Sequence, residues 1–147
     1  MPRDPLTVML RLRQRTVDEA RLALAGAVAG ETGATAMLRA VERSIETESD
    51  RASDPCGDDD LVETFARWLP AARDRVSQAR KEQERWAVEV ARTRAELAAA
   101  RTGLEVIETM LREKRDAAAR EEAKRSQQAI DEAGSRRSAL NTTPAGP

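Results

Sequence analysis

Counted in alternating steps of three and four, residues 62–111 give Val62, Phe65, Leu69, Ala72, Val76, Ala79, Gln83, Trp86, Val90, Thr93, Leu97, Ala100, Leu104, Ile107 and Leu111. Thirteen of these fifteen positions are apolar, against 40% of the whole chain. Arg73, Arg75, Arg80, Lys81, Glu82, Glu84, Arg92 and Glu96 lie between them. A narrow apolar seam that returns every seven residues is what one long helix needs in order to lie along another. At 1.5 Å per residue the stretch would run roughly 75 Å, so it must be a rod with a partner helix rather than part of a rounded core.

The partner is upstream in the same chain. Leu6, Leu10, Arg13, Val17, Ala20, Leu24, Ala27, Glu31, Ala34, Leu38, Val41 and Ile45 form a second seam with ten apolar positions of twelve, and it breaks at Glu48. Pro5 suits the first turn of a helix. Asp54-Pro55-Cys56-Gly57 is turn chemistry. Asp60 with Glu63 resembles a capping box that opens the second helix. Pro70 lacks an N–H and is expected to kink that helix. Gly134 and Ser135 supply a stop, and the tail that follows is polar and rich in Pro and Gly.

The expected fold is all-α: a two-helix antiparallel coiled-coil hairpin with a longer C-terminal helix. Its parts are helix one over about 5–50, a hinge over about 51–60, helix two over about 61–134 and a disordered tail over about 135–147, all in one coiled-coil domain. Beyond Leu111 the seam positions become Lys114, Ala118, Glu121 and Arg125, which cannot hold a tight pair. Pairs such as Glu108 with Arg112, Asp116 with Arg120 and Glu121 with Arg125 support a solvated single helix there.

Gly26, Gly30 and Gly33 lie inside helix one, where each costs about 1 kcal/mol relative to Ala. They either mark a bend near residues 29–33 or leave room for a bulky side chain opposite. A hairpin folded about the middle of the hinge puts Trp86 opposite Leu24 and close to Gly26, which favours the second reading. Residues 42–63 carry nine acids and two bases, so the hinge is acidic, whereas both terminal regions are mildly basic. Such runs are commonly just solvated faces.

The chemistry of catalysis is missing. There is no His, the carboxylates sit on exposed helix faces, and no Ser, Cys or Lys has an activating partner, so no enzyme, cofactor or metal site is expected. Aromatic residues are only 2% of the chain and the net charge is −1, which argues against nucleic acid. No apolar run approaches the roughly 18 residues of a membrane span, so direct insertion is not expected. The lone Cys56 offers no disulfide framework, and a cytoplasmic protein is the default.

The chain resembles the flagellar export protein FliJ family over nearly its full length. The likeness lies in the first helix opening Leu6-Thr7-Val8-Met9-Leu10 and running into Val17-Asp18-Glu19-Ala20-Arg21-Leu22, the polar hinge, and the longer second helix. Its most specific piece is Phe65-x3-Leu69-x2-Ala72, which is similar to the family's surface cluster for contact with the export gate. The family pattern has a His four residues after that Ala, where Val76 stands here. Leu38, Val41 and Ile45 have the spacing of a second gate-contact cluster, with aliphatic residues in place of tyrosines.

The resemblance implies a stalk like the γ subunit of rotary ATPases. The end with both termini, bearing Leu6, Met9, Leu10, Ile107, Met110 and Leu111, would enter a hexameric export ATPase. The middle and hinge would engage the membrane export gate and export chaperones. Such a stalk is expected to be a monomer, associated peripherally with the cytoplasmic face of the cell membrane. Phe65, Leu69 and Ala72 also lie on the derived seam, so the plainer account makes them core. A generic coiled-coil scaffold that homodimerises is the alternative for the whole chain.

Overall fold

A computed structural model describes residues 4–141, with side chains as far as Leu140. It contains two helices, α1 over Pro5–Ala52 and α2 over Asp59–Asn141, and among the described residues no strand. Contacts group the described residues into two units: Arg13–Thr102, and residues 4–12 together with residues 103–141.

In the unit Arg13–Thr102, α1 and α2 are antiparallel. Glu42 meets Arg80 at 3.4 Å, Thr35 meets Gln83 at 3.1 Å and Gly30 lies against Trp86, so one chain descends as the other ascends. The seams read from the sequence are the surfaces that meet. Val17, Ala27, Ala34 and Leu38 of α1 are buried, as are Ala72, Val90, Leu97 and Ala100 of α2. Thr93 shares that seam at 2% exposure and needs no partner across it. Its hydroxyl donates back to the carbonyls of Glu89 and Val90 on its own helix. Gln83, the other polar seam residue of α2, donates from Nε2 to Thr35 Oγ1.

The loop of residues 53–58 is built as its sequence suggests. The Asp54 carboxylate accepts the Cys56 N–H at 3.0 Å, and the Asp54 carbonyl accepts the Gly57 N–H at 2.8 Å. One local expectation differs from what is found. Helix α2 starts at Asp59, with the Asp58 carbonyl accepting the Leu61 N–H, so Asp60 is inside the first turn and does not open a capping box. Glu63 instead pairs with Arg67 four residues on, at 2.6 Å. Helix α2 also runs without interruption through Pro70, which is exposed like Ala66. The Ala66 carbonyl, denied its usual donor by Pro70, therefore has water within reach.

The register differs as well. Trp86 faces Gly30, not Leu24 and Gly26. Counting back from the Thr35–Gln83 pair, Ala52 comes about level with Ala66, so residues 59–65 of α2 rise past the end of α1. The loop climbs beside those turns instead of spanning the tip symmetrically. A β-carbon on Gly57 would sit 3.5 Å from a Leu61 methyl.

In the unit of residues 4–12 and 103–141, Asp4 sets the start of α1. Its side chain accepts the Leu6 N–H at 3.2 Å and its carbonyl the Thr7 N–H at 3.0 Å, with Pro5 in the first turn as expected. Asp4 also pairs with Lys114 at 2.9 Å. Ile107 and Leu111 are the buried apolar residues here, and Leu10 and Leu111 line one shallow hollow. From residue 112 to residue 140 every position is exposed. The helix continues past the expected stop at Gly134 and Ser135 and extends to Asn141, so residues 135–141 of the expected tail are helical. Gly134 is helical with open space around it, and pairs such as Glu121–Arg125 and Glu132–Arg136, each at 3.9 Å, line the surface. Residues 142–147 of the tail lie outside the described residues.

Candidate functional site

An interaction surface on a helical pair is made of apolar residues that the partner helix leaves uncovered. The cluster Phe65, Leu69, Ala72 and Val76 is divided on that criterion. Ala72 is 1% exposed and faces the seam, whereas Phe65, Leu69 and Val76 are half-buried. On α1, Leu38 is buried and Val41 and Ile45 are half-buried. Ala72 and Leu38 therefore serve the contact between the helices while they remain zipped. Phe65, one residue short of the level of Ala52, presents an open edge.

That edge belongs to a hollow of about 440 Å³ at the loop end of the unit Arg13–Thr102. Phe65 and Trp68 form its aromatic wall, with ring centroids 5.9 Å apart and planes at 37°. Arg75 places its guanidinium carbon 5.9 Å from the Trp68 centroid. Leu61 borders the hollow at 48% exposure, and Glu48 with Arg51, paired at 2.8 Å, closes the α1 side. Trp68 was not singled out in the seam count because it lies one step off the seam. Its signal in the sequence is a second large aromatic three residues after Phe65, on the same side of the helix.

The other candidate residues lie in the unit of residues 4–12 and 103–141. Ile107 and Leu111 are buried and Leu6 and Leu10 half-buried, so these four join the helices. Met9 and Met110 are exposed, as are Val8 and Val106, which leaves apolar surface on both helices of this unit. Beyond it extends the uncovered, charge-laced part of α2. The Asp4 carboxylate is held below its ordinary value, first by the hydrogen bond from Lys114, which outweighs the opposing effect of desolvation, and then by the Leu6 N–H and the Lys114 charge.

This is the geometry of an all-α helical hairpin. Among the described residues no group of His, Cys, Asp or Glu is arranged to hold a metal ion, and no helix is long and apolar enough to cross a membrane. The sequence model of the family described as flagellar FliJ protein matches residues 2–142, and the chain belongs to that family. A role in flagellar protein export goes with that membership. No curated protein and no solved structure matches the chain.

Proposed function

We propose that this chain is a non-enzymatic stalk of the flagellar type III export apparatus, coupling a hexameric export ATPase to the membrane export gate and to export chaperones. It acts as a cytoplasmic monomer at the cytoplasmic face of the membrane. The observation that carries the reading is the inequality of the two helices in a member of this family: α2 goes on to residue 141, and among the described residues no helix covers residues 112–140. A single helix with exposed flanking apolar residues is suited to insertion into a ring. Met9 and Met110 supply adaptable contacts beside it, while Leu6, Leu10, Ile107 and Leu111 hold its base together.

Gate contact in this reading uses Phe65, Leu69 and Val76 with Val41 and Ile45. It reaches Ala72 and Leu38 only when the loop end of the pair opens. Adding the purified chain to a flagellar export ATPase is expected to raise hydrolysis or stabilise the hexamer, and deleting residues 112–147 to abolish that effect. Unchanged hydrolysis and unchanged ring assembly would overturn the proposal. Light scattering at micromolar concentration is expected to give a monomer, where a homodimerising scaffold would give twice the mass.

A further inference from the structure

Packing in the unit Arg13–Thr102 is uneven about the contact of Thr35 with Gln83. On the side away from the loop, Val17, Ala27 and Ala34 of α1 and Val90, Thr93, Leu97 and Ala100 of α2 are buried. On the loop side, among the described residues, only Leu38 and Ala72 are. Val41, Ile45, Leu69, Val76 and Ala79 of the same seams stay half-buried there. The two helices flank the hollow of about 440 Å³, and its lining includes the polar Ser44 and Glu48 of α1 and Thr64 and Arg75 of α2. The ion pair of Glu42 with Arg80, which crosses between the helices at 3.4 Å, is exposed on both sides and holds little in water. Pro70 also removes one N–H from the ladder of α2 on this side. Few buried apolar contacts and solvent-facing polar ones mark a segment that opens at less cost than global unfolding.

We propose that residues 38–80 form a clasp: α1 and α2 part there while the seam from Gly30 and Trp86 to Val17 and Ala100 stays closed. The break falls at the Thr35–Gln83 layer, the last contact before the indole wedged on Gly30. Parting uncovers Leu38 and Ala72 and frees the inner faces of Val41, Ile45, Leu69 and Val76 together. A partner that binds those faces has its affinity reduced by the fraction of chains that are open, so a change in the opening tunes binding without altering the contact itself. That use of the clasp rests on the gate contact proposed above; the parting itself does not.

The test is thiol labelling of the full chain in a Cys56→Ser background, with no partner present. Ala72→Cys is compared with Ala100→Cys, each rate divided by the rate of the same chain unfolded in urea. Ala72 is 1% exposed and Ala100 is 7% exposed, so a static pair of helices would label position 100 faster. The clasp reverses that order, and position 72 is expected to react at least about tenfold faster. Low urea should leave the rate at position 72 nearly unchanged and raise the rate at position 100, because only global unfolding exposes much new surface. Leu38→Cys against Leu97→Cys repeats the comparison with bulk removed instead of added, at 8% and 7% exposure, and should give the same order. Equal labelling within either pair, faster labelling on the Ala100 and Leu97 side, or the same urea dependence at positions 72 and 100 overturns the proposal. Fast labelling at position 72 in a chain that fails to bind a gate protein would retire the gate contact and leave the clasp standing.

Discussion

A β-carbon built on Gly30 would lie 2.5 Å from the six-membered ring of Trp86. The glycine is helical, with no positive φ, so it is required by the indole across the seam and not by the backbone. Trp86 is fixed from its own side too: Nε1 donates to the Glu82 carboxylate at 3.2 Å, and Arg85 lies over the ring at 5.6 Å. Gly26 and Gly33 have open space where a β-carbon would go.

The three glycines should therefore answer differently to alanine. Gly30→Ala forces the ring aside and is expected to destabilise by about 1–3 kcal/mol, as overpacking does. Gly26→Ala and Gly33→Ala relieve only the helix penalty of glycine and should each stabilise by about 0.5–1 kcal/mol. Denaturant unfolding measures all three. In a Trp86→Ala background Gly30→Ala should change sign and become stabilising, which no explanation based on helix propensity alone would give.

Gln83 and Thr35 are the polar pair across an otherwise apolar stretch of seam, at 3.1 Å. Thr35→Val leaves the Gln83 amide without that acceptor in a half-buried place and should cost about 0.5–1.5 kcal/mol. Changing both, Thr35→Val with Gln83→Leu, should recover or exceed the original stability. It should also loosen register, because a lone polar contact in a coiled coil specifies alignment at the expense of stability. Light scattering is expected to find oligomers in the double variant that the parent does not form.

The seams themselves were legible because a 3-4 repeat has one physical use. Of the fifteen positions counted on α2 only Val62 is exposed, and of the twelve on α1 only Arg13. Val62 stands out because it lies on the turns of α2 that outrun α1, and this depends on register. Register was not readable from apolar spacing, since the seam repeats and any shift by whole turns looks alike. What fixes it is Gly30 beneath Trp86, a steric fact that three scattered glycines suggested without saying which one. The candidate site divides the same way: the family resemblance singled out Phe65, Leu69 and Ala72 while spacing put all three on the seam, and the structure shows Ala72 in the core. Helix α2 accommodates Pro70 because a proline on an exposed helix face leaves its orphaned carbonyl to water.

Asp4 caps α1 and receives Lys114, and its pKa lies below the ordinary 3.8 in consequence. A carboxylate whose folded value is depressed contributes stability above the unfolded value and loses it as pH falls through the folded one. The contact between the start of α1 and Lys114 is thus expected to be fully formed at neutral pH and to weaken below about pH 3.8. Carbon-detected titration of Asp4 should show its pKa rising toward the ordinary value in Lys114→Gln. Asp4→Asn should remove the pH dependence of fraying at Leu6 and Thr7.

Helix α2 has two kinds of stability along its length, and they should separate in one experiment. Residues 90–111 bury Val90, Thr93, Leu97, Ala100, Ile107 and Leu111, whereas residues 112–140 bury nothing and rest on helix propensity and surface pairs. Surface pairs are worth only a few tenths of a kcal/mol each, and most helical stability in proteins comes from packing an apolar face, which this part lacks. Amides beyond residue 115 are therefore expected to exchange within seconds to minutes, and those on the seam near Leu97 at rates set by global unfolding. Truncation after Asp116 should lower total helicity and leave the melting temperature within about 2 °C of the parent, because no packing is lost. Leu97→Ala in the full chain should do the opposite, costing about 2–4 kcal/mol with little change in helicity before the transition. If truncation lowered the melting temperature as far as Leu97→Ala does, the terminal part of α2 would have to be packed against something, and a free helix available for insertion into a ring could no longer be assumed.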